Sequence, residues 1–516
     1  MLSTHGRHAG GIAAALALAL LVLIASAASR GTEYDEDYTV FIASGTPRPV
    51  WPSGPFTAGS VRHFFAGHST ALSIARDLRR TDVHPPLYFW AVAAWRGLFG
   101  SGLFETRLLS VLFSLVALLG VARLAVLVGA PPVAAVLLTI GCYGFTYTGS
   151  IARGFALAQL CLIWGTALVA QSARPRGRAR GAGIALAGGL LLGLGSFSNY
   201  LAAFGAAGAL LWLLLARLRR PERWIAAGIG FVLLLPADLY FFLAQRGSRI
   251  GQFPPFRLLP SLVRLAKYTS ANIFGGLPLY VGHLAGLLVG LVLVLGLIGL
   301  FALVVLRWRA MSGGEMRWLP AMAAAATPIG LLLLGMVFNN TPIELRYIAF
   351  GVPFFAVLLA AGFASLPRRT ATLAIGALFA VQALSLIGMM TQPQTMQPQA
   401  QTARAARRLA GPGTLVLVPY GNDGVGVLAA FVNESPDRLL LAKIDPGESP
   451  AAIRAEAHAA QRVVLVLLGL DADSRATLPA MRQAFHDRCW QPAGSGFDTM
   501  AYDRARAPGC GNQPAG

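Results

Sequence analysis

The chain has 516 residues, 55% of them hydrophobic and only 12% charged, with a mean hydropathy of +0.61. A soluble globular chain carries about 25% charged residues, so composition excludes one and points to a polytopic membrane protein. The formal charge of +20 is arginine-rich, with Lys267 and Lys443 the only lysines; basic loops on the cytoplasmic side of a membrane account for it, and nucleic acid does not.

Apolar runs of about 20 residues, enough to cross a bilayer core of about 30 Å, recur along most of the chain. Their backbone polar groups must pair within the run, so the crossings are helices. The first run, near 10–28, ends in Ala25-Ser26-Ala27, which also suits a signal-peptide cleavage site. A retained helix is the preferred reading, and residue 30 onward emerges outside on either one.

Further runs lie near 84–100, 104–128, 131–149, 152–171, 182–199, 201–217, 224–242, 281–306, 318–338, 347–366 and 370–390. Basic clusters separate them: Arg174–Arg180, Arg217–Arg223, Arg307 with Arg309, and Arg368 with Arg369. The positive-inside rule puts all four in the cytoplasm. They share a side only if one run before residue 171 does not cross. The run at 84–100 is the candidate, being short, opened by His-Pro-Pro and interrupted by Arg96. The expected architecture is an α-helical membrane domain over 1–390, with about eleven to twelve membrane helices plus juxtamembrane helices. Its largest outer loop is 29–83.

A polar linker is expected over 391–412, followed by a small α/β domain over 413–516 outside the membrane. Thr414–Pro419 and Arg462–Leu468 read as buried strands, 449–461 and 473–488 as helices. Gly421–Gly426 lacks phosphate-loop spacing and reads as a strand-to-helix turn. Cys489 and Cys510 suggest a disulfide if this tail is exported, whereas Cys142 and Cys161 read as buried thiols.

Of 22 acidic residues, four fall in Glu33-Tyr-Asp-Glu-Asp-Tyr38, just after the first run. Carboxylates at membrane depth need water or a partner. Asp35, and after it Glu36, could take a proton from a hydroxyl, hold a sugar, or ligate a divalent metal ion. A solvated helix end is the plainer reading. Asp82 and His84 close the same loop. Arg153 and Arg346 open helices on the outer side, where an arginine either snorkels or grips a phosphate. Lys267 is a further outer cation, with Tyr347 and Glu344 beside Arg346.

Taken in order, Asp35-Glu36, Asp82-Val-His-Pro-Pro-Leu-Tyr-Phe89, Phe104-Glu-Thr-Arg-Leu-Leu-Ser110, Ala152-Arg153-Gly-Phe155 and Arg346-Tyr347 resemble the GT-C membrane glycosyltransferases. The resemblance is to the family 39 and RgtA-like groups, kin of protein O-mannosyltransferases and lipid A aminoarabinose transferases, and covers roughly residues 10–390. It implies transfer of a sugar from a polyprenyl-phosphate donor to a lipid, glycan or protein acceptor at the periplasmic face of the bacterial inner membrane. It implies Asp35 as base or acceptor-binding carboxylate, with Glu36 as the acid beside it. His84, Arg153 and Arg346 would hold the donor phosphate or shape its pocket. Relatives often carry an acidic or amide residue in the turn before Arg153, where this chain has Gly149-Ser150-Ile151. That leaves Asp82 or Glu344 as the second carboxylate. A flippase for lipid-linked sugars, or a non-catalytic assembly partner, is the competing reading. No cofactor is required beyond that optional metal.

Overall fold

The structure is a computed structural model. It describes residues 2–175, 177–245, 253–391, 397–434, 439–507 and 510, the side chains of 2–8 excepted. Arg176 of the first basic cluster and residues 392–396 of the expected linker lie outside the described residues. The chain divides into a helical unit (residues 1–29, 71–95 and 104–392) and a mixed unit (30–70, 96–103 and 393–516).

In the helical unit, seven helices among the described residues are long and apolar enough to cross a membrane. Two bent pairs, Pro132–Gly141 with Tyr143–Ser150 (72°) and Pro221–Val232 with Leu235–Gln245 (41°), raise the number to nine if each counts as one span. Ala202–Ala216 and Val352–Ala364 are apolar but shorter, at 15 and 13 residues. Each expected run therefore meets a helix, though not each is a full straight span. Small residues let these helices touch: a β-carbon on Gly189 would collide with the Ala227 carbonyl of the neighbouring helix.

The basic clusters meet at one end of this unit by binding helix C-termini, whose last carbonyls lack intrahelical donors. Arg174 Nη2 donates to the Leu127 carbonyl (3.0 Å) and Arg217 Nε to that of Ala173 (2.9 Å). Arg307 Nε donates to Ser365 Oγ (3.1 Å), close to the Arg368–Arg369 pair. The helix Leu87–Phe99 has 13 residues, short of the about 20 that a crossing takes. Trp95 Nε1 donates to the Glu105 carbonyl (2.7 Å), so the chain has turned back where the next helix starts. Arg107 of that helix donates to the Ala27 carbonyl (2.8 Å) and satisfies the C-terminus of the first helix.

The mixed unit is built on one sheet of order β1-β3-β2-β4-β6-β5. Its strands are β1 (Phe56–Thr57), β2 (Thr414–Pro419), β3 (Leu440–Ile444), β4 (Arg462–Val466), β5 (Trp490–Gly496) and β6 (Thr499–Arg504). β3, β2 and β4 run parallel; β1, β5 and β6 pair antiparallel. β1 comes from the expected first loop and binds β3, Phe56 opposite Leu441. Residues 30–70 of that loop are thus folded with the tail unit, while 71–83 belong to the helical unit. The linker expectation also needs correction. Gln399–Leu409 is a helix whose Ala400, Ala403 and Ala406 are buried, one apolar face in an otherwise polar stretch.

Cys489 and Cys510 form a disulfide across 21 residues, with Cα atoms 5.3 Å apart. A loop of this length stabilises the native state by about 3 kcal/mol. Cys489→Ala is therefore expected to lower the unfolding temperature of the tail unit, and reductant to have the same effect on the parent chain but none on the variant. Thermal scans with and without reductant measure both.

Candidate active site

At the end of the helical unit away from the basic clusters, three charged or titratable side chains are buried together. Asp82 follows the helix Ala71–Thr81, and His84 precedes the two prolines that open Leu87–Phe99. Proline's fixed φ and missing N–H suit a helix start, so His84 is held immediately ahead of it. Arg153 lies in the tight turn between Tyr143–Ser150 and Phe155–Ser172. The turn is packed by Gly154, whose carbonyl accepts from Ser198 Oγ (2.9 Å).

Asp82 Oδ1 receives the Val83 N–H (2.6 Å) and Arg153 Nη2 (3.1 Å), and lies 3.0 Å from His84 Nδ1. Arg153 Nη2 is itself 3.0 Å from that Nδ1. Nδ1 can donate to Asp82 or accept from Arg153, and this choice decides whether Nε2 presents a lone pair or an N–H. The guanidinium also stands over the Phe89 ring, 5.5 Å from its centre. Burial pushes the Asp82 carboxyl up, but Arg153, His84 and the Val83 N–H outweigh it and hold it at about 2. An acid this strong is a poor proton acceptor near neutrality. Asp82 therefore stands as an ionised acceptor between its two neighbours.

His84 and Tyr347 line one cavity of about 300 Å³, with Asn199, Tyr200, Gln245 and Asn340. Gln245 Nε2 donates to the carbonyls of His84 (3.0 Å) and Leu78 (2.9 Å), and its Oε1 accepts from Tyr200 (2.9 Å). Asn199 Nδ2 and Asn340 Oδ1 are buried with no partner, so the cavity offers one donor and one acceptor to whatever enters. None of these four was singled out as a site residue. Asn199, Tyr200 and Asn340 stand in short turns between helices, and a polar side chain in such a turn was the available signal.

Ile348, the residue after Tyr347, lines a second cavity of about 540 Å³ with Leu265, Phe301, Trp308, Pro328 and Phe355. A cavity with polar groups set in an apolar wall and a second, almost wholly apolar one thus flank the short helix Leu345–Ile348. Arg346 of this helix pairs with Glu344 (Nε–Oε2 2.7 Å) and stacks on Tyr347, 5.4 Å from its ring centre. Glu344 is so engaged by a cation. Lys267 is exposed on Leu258–Phe274 and lines neither cavity.

Within the mixed unit the acidic hexamer starts the helix Tyr34–Ser44. Glu33 is its N-cap and closes a capping box with Glu36, whose Oε2 accepts the Glu33 N–H (3.2 Å). Arg30 pairs with Glu33 at 2.5 Å. Asp37 accepts from Thr32 Oγ1 (2.7 Å) and Asn433 Nδ2 (2.9 Å). Glu33, Glu36 and Asp37 are fully buried, while Asp35 is half-buried. Asp35 Oδ2 accepts from Gln397 Nε2 (3.0 Å), and its own N–H donates to Gln397 Oε1 (3.1 Å). The structure thus separates the hexamer: three carboxylates build the helix start, and Asp35 alone keeps a solvent-facing side. Glu36 accordingly takes a structural role.

The metal reading does not fit this arrangement. Among the described residues no three His, Cys, Asp or Glu converge on one point. The carboxylates of the hexamer turn to arginine, hydroxyl, amide and backbone groups, and no step is derived through a metal.

Residues 83–240 match the family model described as dolichyl-phosphate-mannose-protein mannosyltransferase. The match opens one residue after Asp82 and takes in His84, Arg153, Asn199 and Tyr200. No curated protein is significantly similar to the chain. The apo crystal structure of ArnT from Cupriavidus metallidurans is similar over 96% of this chain and 98% of its own, with 13% identity and a TM-score of 0.53. ArnT from the same organism bound to undecaprenyl phosphate is similar over 98% of this chain and 99% of its own, with 13% identity and a TM-score of 0.51. The chain therefore has the fold of these ArnT structures.

Proposed function

We propose that the protein transfers a sugar from a polyprenyl-phosphate donor to a lipid, glycan or protein acceptor at the periplasmic face of the bacterial inner membrane. The observation that carries this reading is the pair of cavities flanking Leu345–Ile348, one with His84, amide and tyrosine groups set in an apolar wall beside Arg153, the other almost wholly apolar. An isoprenoid phosphate needs that combination: an apolar groove for the chain and cations at its mouth. Arg153 suits phosphate because its planar fork makes paired hydrogen bonds.

In the reaction, the acceptor hydroxyl gives its proton to Asp35 and its oxygen bonds the anomeric carbon. The bond from that carbon to the phosphate oxygen breaks, and polyprenyl phosphate leaves. Displacement from the opposite side inverts the anomeric centre. Charge builds on the leaving phosphate, where a preformed cation lowers the barrier most. Arg153 supplies it, steered by Asp82. Gln397 holds the Asp35 carboxylate in place. Similarity to an undecaprenyl phosphate-bound structure and to the mannosyltransferase family supports the donor class.

Because Asp82 stays ionised down to about pH 2, it does not titrate in the working range. Asp82→Asn is expected to lower the transfer rate throughout pH about 5.5 to 8.5, a window well above the usual carboxylate pKa of about 4, because Arg153 and His84 lose the carboxylate that orients them. A pH–rate series on the two proteins checks this; a variant as fast as the parent anywhere in that window would contradict it. The reading as a whole is tested by incubating the purified chain with polyprenyl-phosphate sugars and membrane acceptors and following the label.

A further inference from the structure

The two tyrosines of the acidic hexamer have no part in the proposed reaction. Tyr34 and Tyr38 stand one turn apart on the helix Tyr34–Ser44, so they share a face, with ring centres 5.9 Å apart. That face borders a third cavity, of about 130 Å³, lying wholly within the mixed unit. Tyr420, Asn422, Arg48 and Asp473 complete its principal lining.

Its place in the sheet is informative. Tyr420 and Asn422 follow β2, Pro446 follows β3 and Asp473 follows β4, so the cavity lies at the carboxyl ends of all three parallel strands. From β2 the chain passes to β3 on one side and then to β4 on the other. Loops diverge where the order reverses, and open α/β sheets bind ligands in the crevice this creates.

The lining has a chemical character. Tyr34, Tyr38 and Tyr420 give flat, apolar faces. Two of their hydroxyls are tied down: Tyr34 donates to Asn422 Oδ1 (3.1 Å) and Tyr420 to the Pro49 carbonyl (3.1 Å). The aromatic wall is therefore rigid before anything binds. Asn422, Arg48 and Asp473 are exposed around it. Together they offer amide, cation and carboxylate, with no net excess of charge. Arg48 has no ion-pair partner among the described residues.

A flat aromatic wall with a mixed donor and acceptor rim suits a neutral pyranose ring. Its C–H face packs on tyrosine, and its hydroxyls bond the rim. An anion would meet Asp473 and a cation would meet Arg48.

We infer that this cavity binds one neutral sugar unit of the acceptor glycan, holding the acceptor by the same helix that carries Asp35. The inference rests on the transferase reading above for the word acceptor, but sugar binding itself does not. The test is saturation-transfer NMR on the full chain in nanodiscs, with free glucose, mannose and galactose as probes. At least one should give a saturable signal. Arg48→Ala and Asp473→Ala, both at exposed positions, should each weaken it about tenfold or more, and Asp35→Asn should leave it unchanged. Absence of a saturable signal for all three sugars overturns the inference, as does an affinity unchanged in both rim variants. If binding behaves as expected while the parent chain transfers no sugar, the transferase reading fails and the binding site stands.

Discussion

Asp35→Asn is expected to lower sugar transfer by roughly 10²–10⁴-fold, the usual worth of a general base. The change keeps the shape of the side chain and removes its capacity to take a proton. The helix around it does not depend on that proton. Its start is made by Glu33 and Glu36, and its closure by Asp37 with Thr32 and Asn433. Gln397 can rotate its amide and still bond an asparagine. Folding should therefore survive, and so should binding of the polyprenyl-phosphate donor. Turnover and donor affinity, measured on the same preparation, separate the two. An active Asp35→Asn variant would remove Asp35 from the chemistry. Glu36→Gln makes a contrasting case: it disturbs a cap worth about 1 kcal/mol and should lower stability before it lowers turnover.

Arg153→Ala is expected to lower turnover by roughly 10²–10³-fold, the range for removing one charge-stabilising donor. It also removes the guanidinium from the Asp82–His84 pair, leaving a buried carboxylate with fewer donors. Some destabilisation must accompany the lost activity. Arg153→Lys distinguishes the causes: it restores positive charge near Asp82 but not the planar fork that grips phosphate. The lysine variant should recover the melting temperature while remaining well below the parent in turnover and donor affinity. Recovery of both would assign Arg153 a purely structural role.

The membrane architecture was largely legible because it follows from solvation. Apolar runs marked the helices, and the run at 84–100 picked out as the short one is a helix of 13 residues. The bends at Cys142 and near Leu234 were not legible, since an apolar run reads the same straight or broken. In the mixed unit, β2 and β4 announced themselves as continuous buried runs. β1 has two residues and no periodicity to detect. Its pairing with β3 joins segments almost 400 residues apart, which local pattern cannot foresee. β5, with Pro492, Gly494 and Gly496, has neither alternation nor bulk.

The candidate site shows the same division. The composition singled out His84, Arg153 and the hexamer because charge is scarce in this chain. It did not reveal that Arg153, 71 positions away, donates to an Asp82 oxygen. Nor did it separate Asp35 from its neighbours, since four carboxylates in a row look alike until burial and capping sort them. Asn199, Gln245 and Asn340 carry no motif and matter only through the cavity they line. Lys267 drew notice through the rarity of lysine, which reflects composition and gives it no place at either cavity.

The most direct measurement follows a polyprenyl-phosphate sugar, labelled in the sugar, after incubation with the purified chain and an envelope extract in sealed vesicles. The account predicts cleavage of the sugar–phosphate bond, label covalently attached to an acceptor, free polyprenyl phosphate in equal amount, and none of these with Asp35→Asn. Label that crosses the bilayer with its phosphate bond intact would contradict it and identify a flippase.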